Sequence, residues 1–91
     1  PREVENVLLD FEGIDEAVVF GVPHPDFGEG VVAAITGNLV VEERAIIEAS
    51  RAYLANYKSP KRVLMLDDLP KNAMGKVDRK ALRAEYSDLF G

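Results

Sequence analysis

Ninety-one residues support one domain with a small core, and the absence of cysteine excludes disulfide frameworks, thiolate metal sites and a cysteine nucleophile together. No apolar run approaches the ~20 residues that cross a bilayer, and the start, Pro1-Arg2-Glu3-Val4-Glu5, is no signal peptide, so a soluble cytoplasmic protein with no membrane partner is expected. The net charge of −5 is uneven: residues 1–48 carry 2 basic and 11 acidic side chains and residues 49–91 carry 9 basic and 5 acidic, so an anionic ligand should meet the second half.

Val4, Val7, Leu8 and Phe11 fall at i, i+3, i+4 and i+7, the stripe of an amphipathic helix. Pro1 suits its first turn, Glu3 and Glu5 complement its N-terminal dipole, and Gly13 is placed to stop it. Residues 17–22 form a short β-branched run that reads as a central strand. Pro23-His24-Pro25-Asp26-Phe27-Gly28 should interrupt it, because prolines remove ladder donors. Residues 31–36 resume strand character, which predicts an antiparallel hairpin closed off by Gly37-Asn38.

Residues 42–54 carry Ile46, Ala49, Tyr53 and Leu54 at helical spacing with Ile47 beside them, a second helix expected to pack on the same sheet as the first. Asn56-Tyr57-Lys58-Ser59-Pro60 ends it, since Pro60 disfavours helical geometry at Ser59. A third strand covers residues 62–66. The closing helix, residues 81–90, is capped by Asp78 and turns Leu82, Tyr86 and Leu89 inward, with Phe90 adjacent. This order predicts a compact α+β domain: a mainly antiparallel three-stranded sheet plus a short extra hairpin, packed against about three helices.

Several apparent motifs fail on context. Gly28-Glu29-Gly30-Val31-Val32-Ala33 spells a dinucleotide-binding fingerprint, but a strand follows where the fingerprint needs a helix. Asp26-Phe27-Gly28 matches a kinase triplet without its companion loops, and His24-Pro25-Asp26 echoes a tripeptide that joins helices, not strands. His24 is the sole histidine and reads as a loop residue, so no metal site is expected. A nucleic-acid module is disfavoured by the acidic balance and by the lack of an aromatic RNA-binding pattern.

The stretch Pro70-Lys71-Asn72-Ala73-Met74-Gly75-Lys76 lies between the third strand and the last helix. Pro70 fixes its own φ and Gly75 takes angles that a Cβ forbids, so the chain turns sharply before Lys76 and holds that lysine away from the body. The stretch is not a phosphate-binding P-loop. Pro70 stands where the first glycine belongs and Val77 where the magnesium-binding hydroxyl belongs.

Pro70-x-x-x-x-Gly75-Lys76, followed by Val77-Asp78-Arg79-Lys80-x-Leu82-Arg83, resembles the last signature of the adenylate-forming superfamily, which includes acyl-CoA synthetases, firefly luciferase and peptide-synthetase adenylation domains. Residues 1–8, 16–23 with Phe27-Gly28-Glu29, and 54–61 with their Tyr57-Lys58-x-Pro60 turn resemble further segments of its small C-terminal domain. The resemblance implies that residues 1–91 are this mobile domain and that its partner, a large N-terminal domain holding the ATP loops, the acyl pocket and magnesium, is absent, leaving the chain inactive alone with no cofactor bound. It also implies that Lys76 contacts the substrate carboxylate and the ATP α-phosphate while acyl-AMP forms. In a second orientation a face including Ser59, Pro60 and Lys61 borders the CoA tunnel.

The Pro70 signature also resembles the motif that Gcn5-like protein acetyltransferases modify in bacterial acyl-CoA synthetases. Acetylation would remove the Lys76 cation, and a deacetylase would restore it. Lys71, Arg79, Lys80 and Arg83 are the docking charges expected for such a partner.

Overall fold

A strand that is apolar at every position needs cover on both faces. Residues 17–22 and 31–35 are such runs, and the computed structural model, which describes residues 2–26, 28–38, 42–54 and 59–91, covers them on both faces. Pro1, Phe27, Tyr57 and Lys58, singled out above, lie outside the described residues.

Helix α1 (Arg2–Leu9) leads into β1 (Ile14–His24), which pairs antiparallel with β2 (Gly28–Gly37) from Ile14 opposite Gly37 to His24 opposite Gly28. Helix α2 (Glu43–Ser50) then carries the chain across to β3 (Arg62–Met65), which runs parallel to β2 with Val63 beside Ala33. Parallel neighbours require such a crossover. The sheet order is β1-β2-β3, and helix α3 (Arg79–Glu85) closes the chain. The short extra hairpin is an antiparallel bridge between Lys71 and Val77.

Alternation along the strands sorts the core into two layers. Val19, Ala33, Ile35 and Val63 pack with Val4 and Leu8 of α1, Ile46 of α2 and Leu54. Val18, Phe20, Val22, Val32 and Ala34 pack on the opposite face with Leu69 and Leu82, bordered by Val77, Tyr86, Leu89 and Phe90. Helices of 8, 8 and 7 residues are too short to persist alone, so these layers hold them in place. No helix among the described residues is long and apolar enough to cross a membrane.

The structure corrects several expectations. The central strand is β2, not β1, and β3 departs from the otherwise antiparallel pairing. β1 also continues through Pro23 and His24, with Pro23 opposite Glu29. The reason lies in its edge position: Val19 turns its N–H and C=O outward to Glu5 and Arg79, and Pro23, four residues on, turns its nitrogen the same way, where no ladder bond is lost. The hairpin turns after His24, whose Nδ1 accepts from the Asp26 amide at 3.0 Å, while Gly37 ends the ladder at its open end. A Cβ on Gly37 would fall 1.9 Å from the Gly13 carbonyl oxygen, so only glycine fits there.

Helix α2 is shorter than its apolar pattern. The Ser50 hydroxyl donates back to the Ile47 carbonyl at 2.7 Å and the chain leaves the helix, so Ala49 and Tyr53 face solvent and Leu54 supplies the inward contact.

Candidate functional site

The Pro70 hairpin is built from its own backbone. The Asp78 amide donates to the Pro70 carbonyl at 2.8 Å, the Asn72 amide to Lys76 O at 2.8 Å, and the Gly75 amide to Asn72 O at 2.9 Å. Gly75 has φ +81°, the left-handed turn expected before the lysine. Asn72 adds a side-chain clamp, its Oδ1 accepting from the amides of Met74 at 2.9 Å and Lys76 at 3.1 Å. An asparagine bonding the backbone two residues on is an Asx turn, a signal legible in the sequence but not read there.

At the tip Met74 is 80% exposed, and Lys76 is exposed with no hydrogen-bond or ion-pair partner for its ammonium among the described residues. The base of the hairpin is the opposite. Leu69 and the half-buried Val77 sink into the α3 layer, and Asp78 caps α3 through Oδ1 to the Ala81 amide at 3.0 Å.

Ion pairs of Lys71 and Arg79 hold the legs. Lys71 Nζ lies 3.3 Å from Glu16 Oε2 and 3.7 Å from Asp68 Oδ1, and the other Glu16 oxygen accepts from Thr36 Oγ1 at 3.1 Å. Arg79 donates through Nη2 to Glu5 Oε2 at 2.7 Å and through Nε to Val19 O at 3.1 Å. The same Glu5 oxygen accepts from the Val19 amide at 2.8 Å. Of the four expected docking charges, Lys71 and Arg79 are therefore engaged within the domain, whereas Lys80 and Arg83 are exposed without a partner among the described residues. Nothing in local patterning announces the Glu5 contact, which joins residues 74 apart in sequence.

Ser59 and Pro60 are buried and Lys61 is exposed. The Ser59 hydroxyl has no hydrogen-bond partner among the described residues. Lys61 lines a shallow groove with Arg44, Glu48 and Arg51 of the α2 segment. That groove belongs to the layer covered by α1 and α2, whereas Val77 ties the Lys76 hairpin to the α3 layer. The structure thus separates the two sets of predicted site residues. His24, expected in a loop, ends β1, its ring 4.8 Å from that of Phe90. No group of three His, Cys, Asp or Glu side chains that could hold a metal ion occurs among the described residues.

Comparison with known proteins places the chain in a family. The sequence profile described as the AMP-binding enzyme C-terminal domain matches residues 3–76. The chain belongs to this family. A 2-succinylbenzoate–CoA ligase of Oceanobacillus iheyensis is 40% identical over 82 residues, which is 90% of this chain and 17% of the relative. A long-chain-fatty-acid–CoA ligase of Mycobacterium tuberculosis is 35% identical over 88 residues, 96% of this chain and 18% of the relative. The solved structure of apo MatB from Rhodopseudomonas palustris superposes with a TM-score of 0.96 at 40% identity, covering 100% of this chain and 19% of that one. This AMP-binding C-terminal domain spans less than a fifth of the length of these relatives.

Proposed function

We propose that the chain is the mobile C-terminal domain of an AMP-forming acid–CoA ligase and supplies Lys76 to the adenylation step. The observation that carries this reading is an exposed lysine on a clamped hairpin, with no carboxylate of the described residues to neutralise it. ATP and CoA are substrates in this reading, and the large N-terminal domain holds magnesium and the acyl pocket.

The chemistry asks for such a cation. A carboxylate oxygen attacks the α-phosphorus of ATP, the bond to the bridging oxygen breaks, and pyrophosphate leaves. Carboxylate and phosphate repel each other, and an ammonium group between them offsets that repulsion as the bond forms. A unit charge pair at ~4 Å and an effective dielectric near 20 interacts by about 4 kcal/mol, roughly a thousandfold in rate if felt mainly in the transition state. CoA then attacks the acyl-adenylate and AMP departs. For that step the domain turns, Lys76 withdraws, and the segment Ser59-Pro60-Lys61 borders the CoA tunnel, with exposed Lys61 as its ligand-facing charge. Support for two orientations comes from the placement of Lys61 and Lys76 against opposite layers of the sheet.

Lys76→Ala in the full-length ligase tests the assignment. Acid-dependent pyrophosphate release should fall by about a thousandfold, while thioester formation from supplied acyl-adenylate stays within a few-fold. Equal loss in both half-reactions overturns the role.

The same exposure favours a second reading of Lys76, as the target of a Gcn5-like acetyltransferase. The neutral amine attacks the acetyl-CoA thioester, CoA leaves as the thiol, and the resulting amide carries no charge. Adenylation stops until a deacetylase hydrolyses the amide. Lys80 and Arg83 remain available as docking charges for that partner.

A further inference from the structure

We propose that Glu5 and Arg79 are positioning residues for adenylation: together they fix the Lys76 hairpin to the outer edge of β1. This inference rests on the adenylation role given to Lys76 above.

The hydrogen bonds of residues 72–76 close on the hairpin itself, so the direction of Lys76 is set wholly by its two legs. Among the described residues, apolar contacts at Leu69 and Val77 and the ion pairs of Lys71 and Arg79 bind those legs to the body. Val77 is an apolar contact, which resists separation but is not directional. Lys71 reaches Glu16 at 3.3 Å with both side chains more than a third exposed, a pair that solvent weakens. Arg79 is different in kind, because one planar guanidinium bonds two elements at once, β1 through Val19 O and α1 through Glu5.

Glu5 completes the arrangement. Its side chain is only 16% exposed, and the oxygen that accepts from Arg79 also accepts from the Val19 amide. Val19 therefore has both its N–H and its C=O satisfied on the outer side, as a neighbouring strand would satisfy them. The three groups form a closed ring, and rotating Arg79 breaks at least two bonds of it. Arg79 lies three positions after Lys76, with the intervening Asp78 amide locked to Pro70 O, so a fixed guanidinium fixes the axis of the hairpin.

A lysine at 79 keeps the positive charge but replaces a rigid fork with a point charge on a flexible stem. The test uses the full-length ligase with Arg79→Lys and Glu5→Gln, each assayed for acid-dependent pyrophosphate release and, separately, for thioester formation from supplied acyl-adenylate. Arg79→Lys should lower the adenylation kcat by about tenfold, with KM for ATP and for the acid within twofold, and leave thioester formation within twofold. Glu5→Gln retains an acceptor for Val19 and should show the same selectivity with a smaller drop. The double variant should be no slower than Arg79→Lys, since the ring is already open.

Parallel loss of both half-reactions, or an unchanged adenylation kcat in Arg79→Lys, overturns the proposal by reducing the ring to general stability or to none. Lys76→Ala run alongside separates the two levels. Selective loss there without selective loss in Arg79→Lys sinks the positioning role alone, and no selective loss there sinks the reading on which it rests.

Discussion

Lys76 and Lys71 carry the same charge five positions apart, yet their surroundings assign them different work. The Lys71 ammonium is shared among Glu16, Asp68 and the Leu69 carbonyl, whereas Lys76 extends from a turn pinned by Asn72 and Gly75. An acetyltransferase needs an amine that can leave its own domain and enter a foreign pocket, and Lys71 must first break its contacts to do so. Incubating the chain with a Gcn5-like enzyme and acetyl-CoA should place the label on Lys76, as read by peptide mass spectrometry. Labelling chiefly at Lys71 or Lys80 would reject that reading. The Lys76 motif was legible because its instructions are local: a proline, an asparagine bonding two residues on, and a glycine at φ +81°. Arg79 was not. As one basic residue among several it reads as a docking charge, and its engagement appears only when α1 and β1 are brought beside it.

The strands and helices show a common solution at the two open edges of the sheet. Val19 on β1 is closed by Glu5 and Arg79, and on β3 the Glu43 carboxylate accepts from the Val63 amide at 2.8 Å and from Arg62 Nε at 2.6 Å. Unpaired edge groups invite pairing with another chain, and these side chains occupy them. Glu43→Ala should lower stability by about 1 kcal/mol, at the modest end for a charged acceptor because Glu43 and Arg62 are each about a third or more exposed. Urea unfolding of the 91-residue chain measures it, and an unchanged midpoint would show that water replaces the carboxylate without penalty. The hairpin was readable from two continuous β-branched runs and the three helices from a period of 3.6. The end of α2 was not, because apolar spacing continued past the point where Ser50 bonds back to Ile47.

Taken whole, the molecule is a sheet clothed on both sides, with a basic residue of functional interest against each layer and open, shallow grooves on its surface. In the proposed reading it offers charge on a rigid support, and a larger body encloses the reactants. The chain on its own, mixed with ATP, magnesium, CoA and a panel of acids, should therefore give no acyl-CoA by mass spectrometry. Turnover above the level of a Lys76→Ala control would contradict the division of labour proposed for the two domains.

Residue order alone settled the elements, the two-sided apolar character of the strands, the family signature and the lysine at its centre, because each is written in neighbours a few positions apart. Only the folded chain decided that β1 is an edge, that β3 runs parallel to β2, and that Arg79 bonds to Val19 and Glu5. Those outcomes depend on contacts between residues far apart in sequence, Val63 beside Ala33 and Arg79 with Val19 and Glu5, whose types are common and whose pairing no local pattern encodes. A hydrogen bond forms where two atoms meet at the right distance and angle, and for such distant partners the meeting place is set by the packing of everything between them.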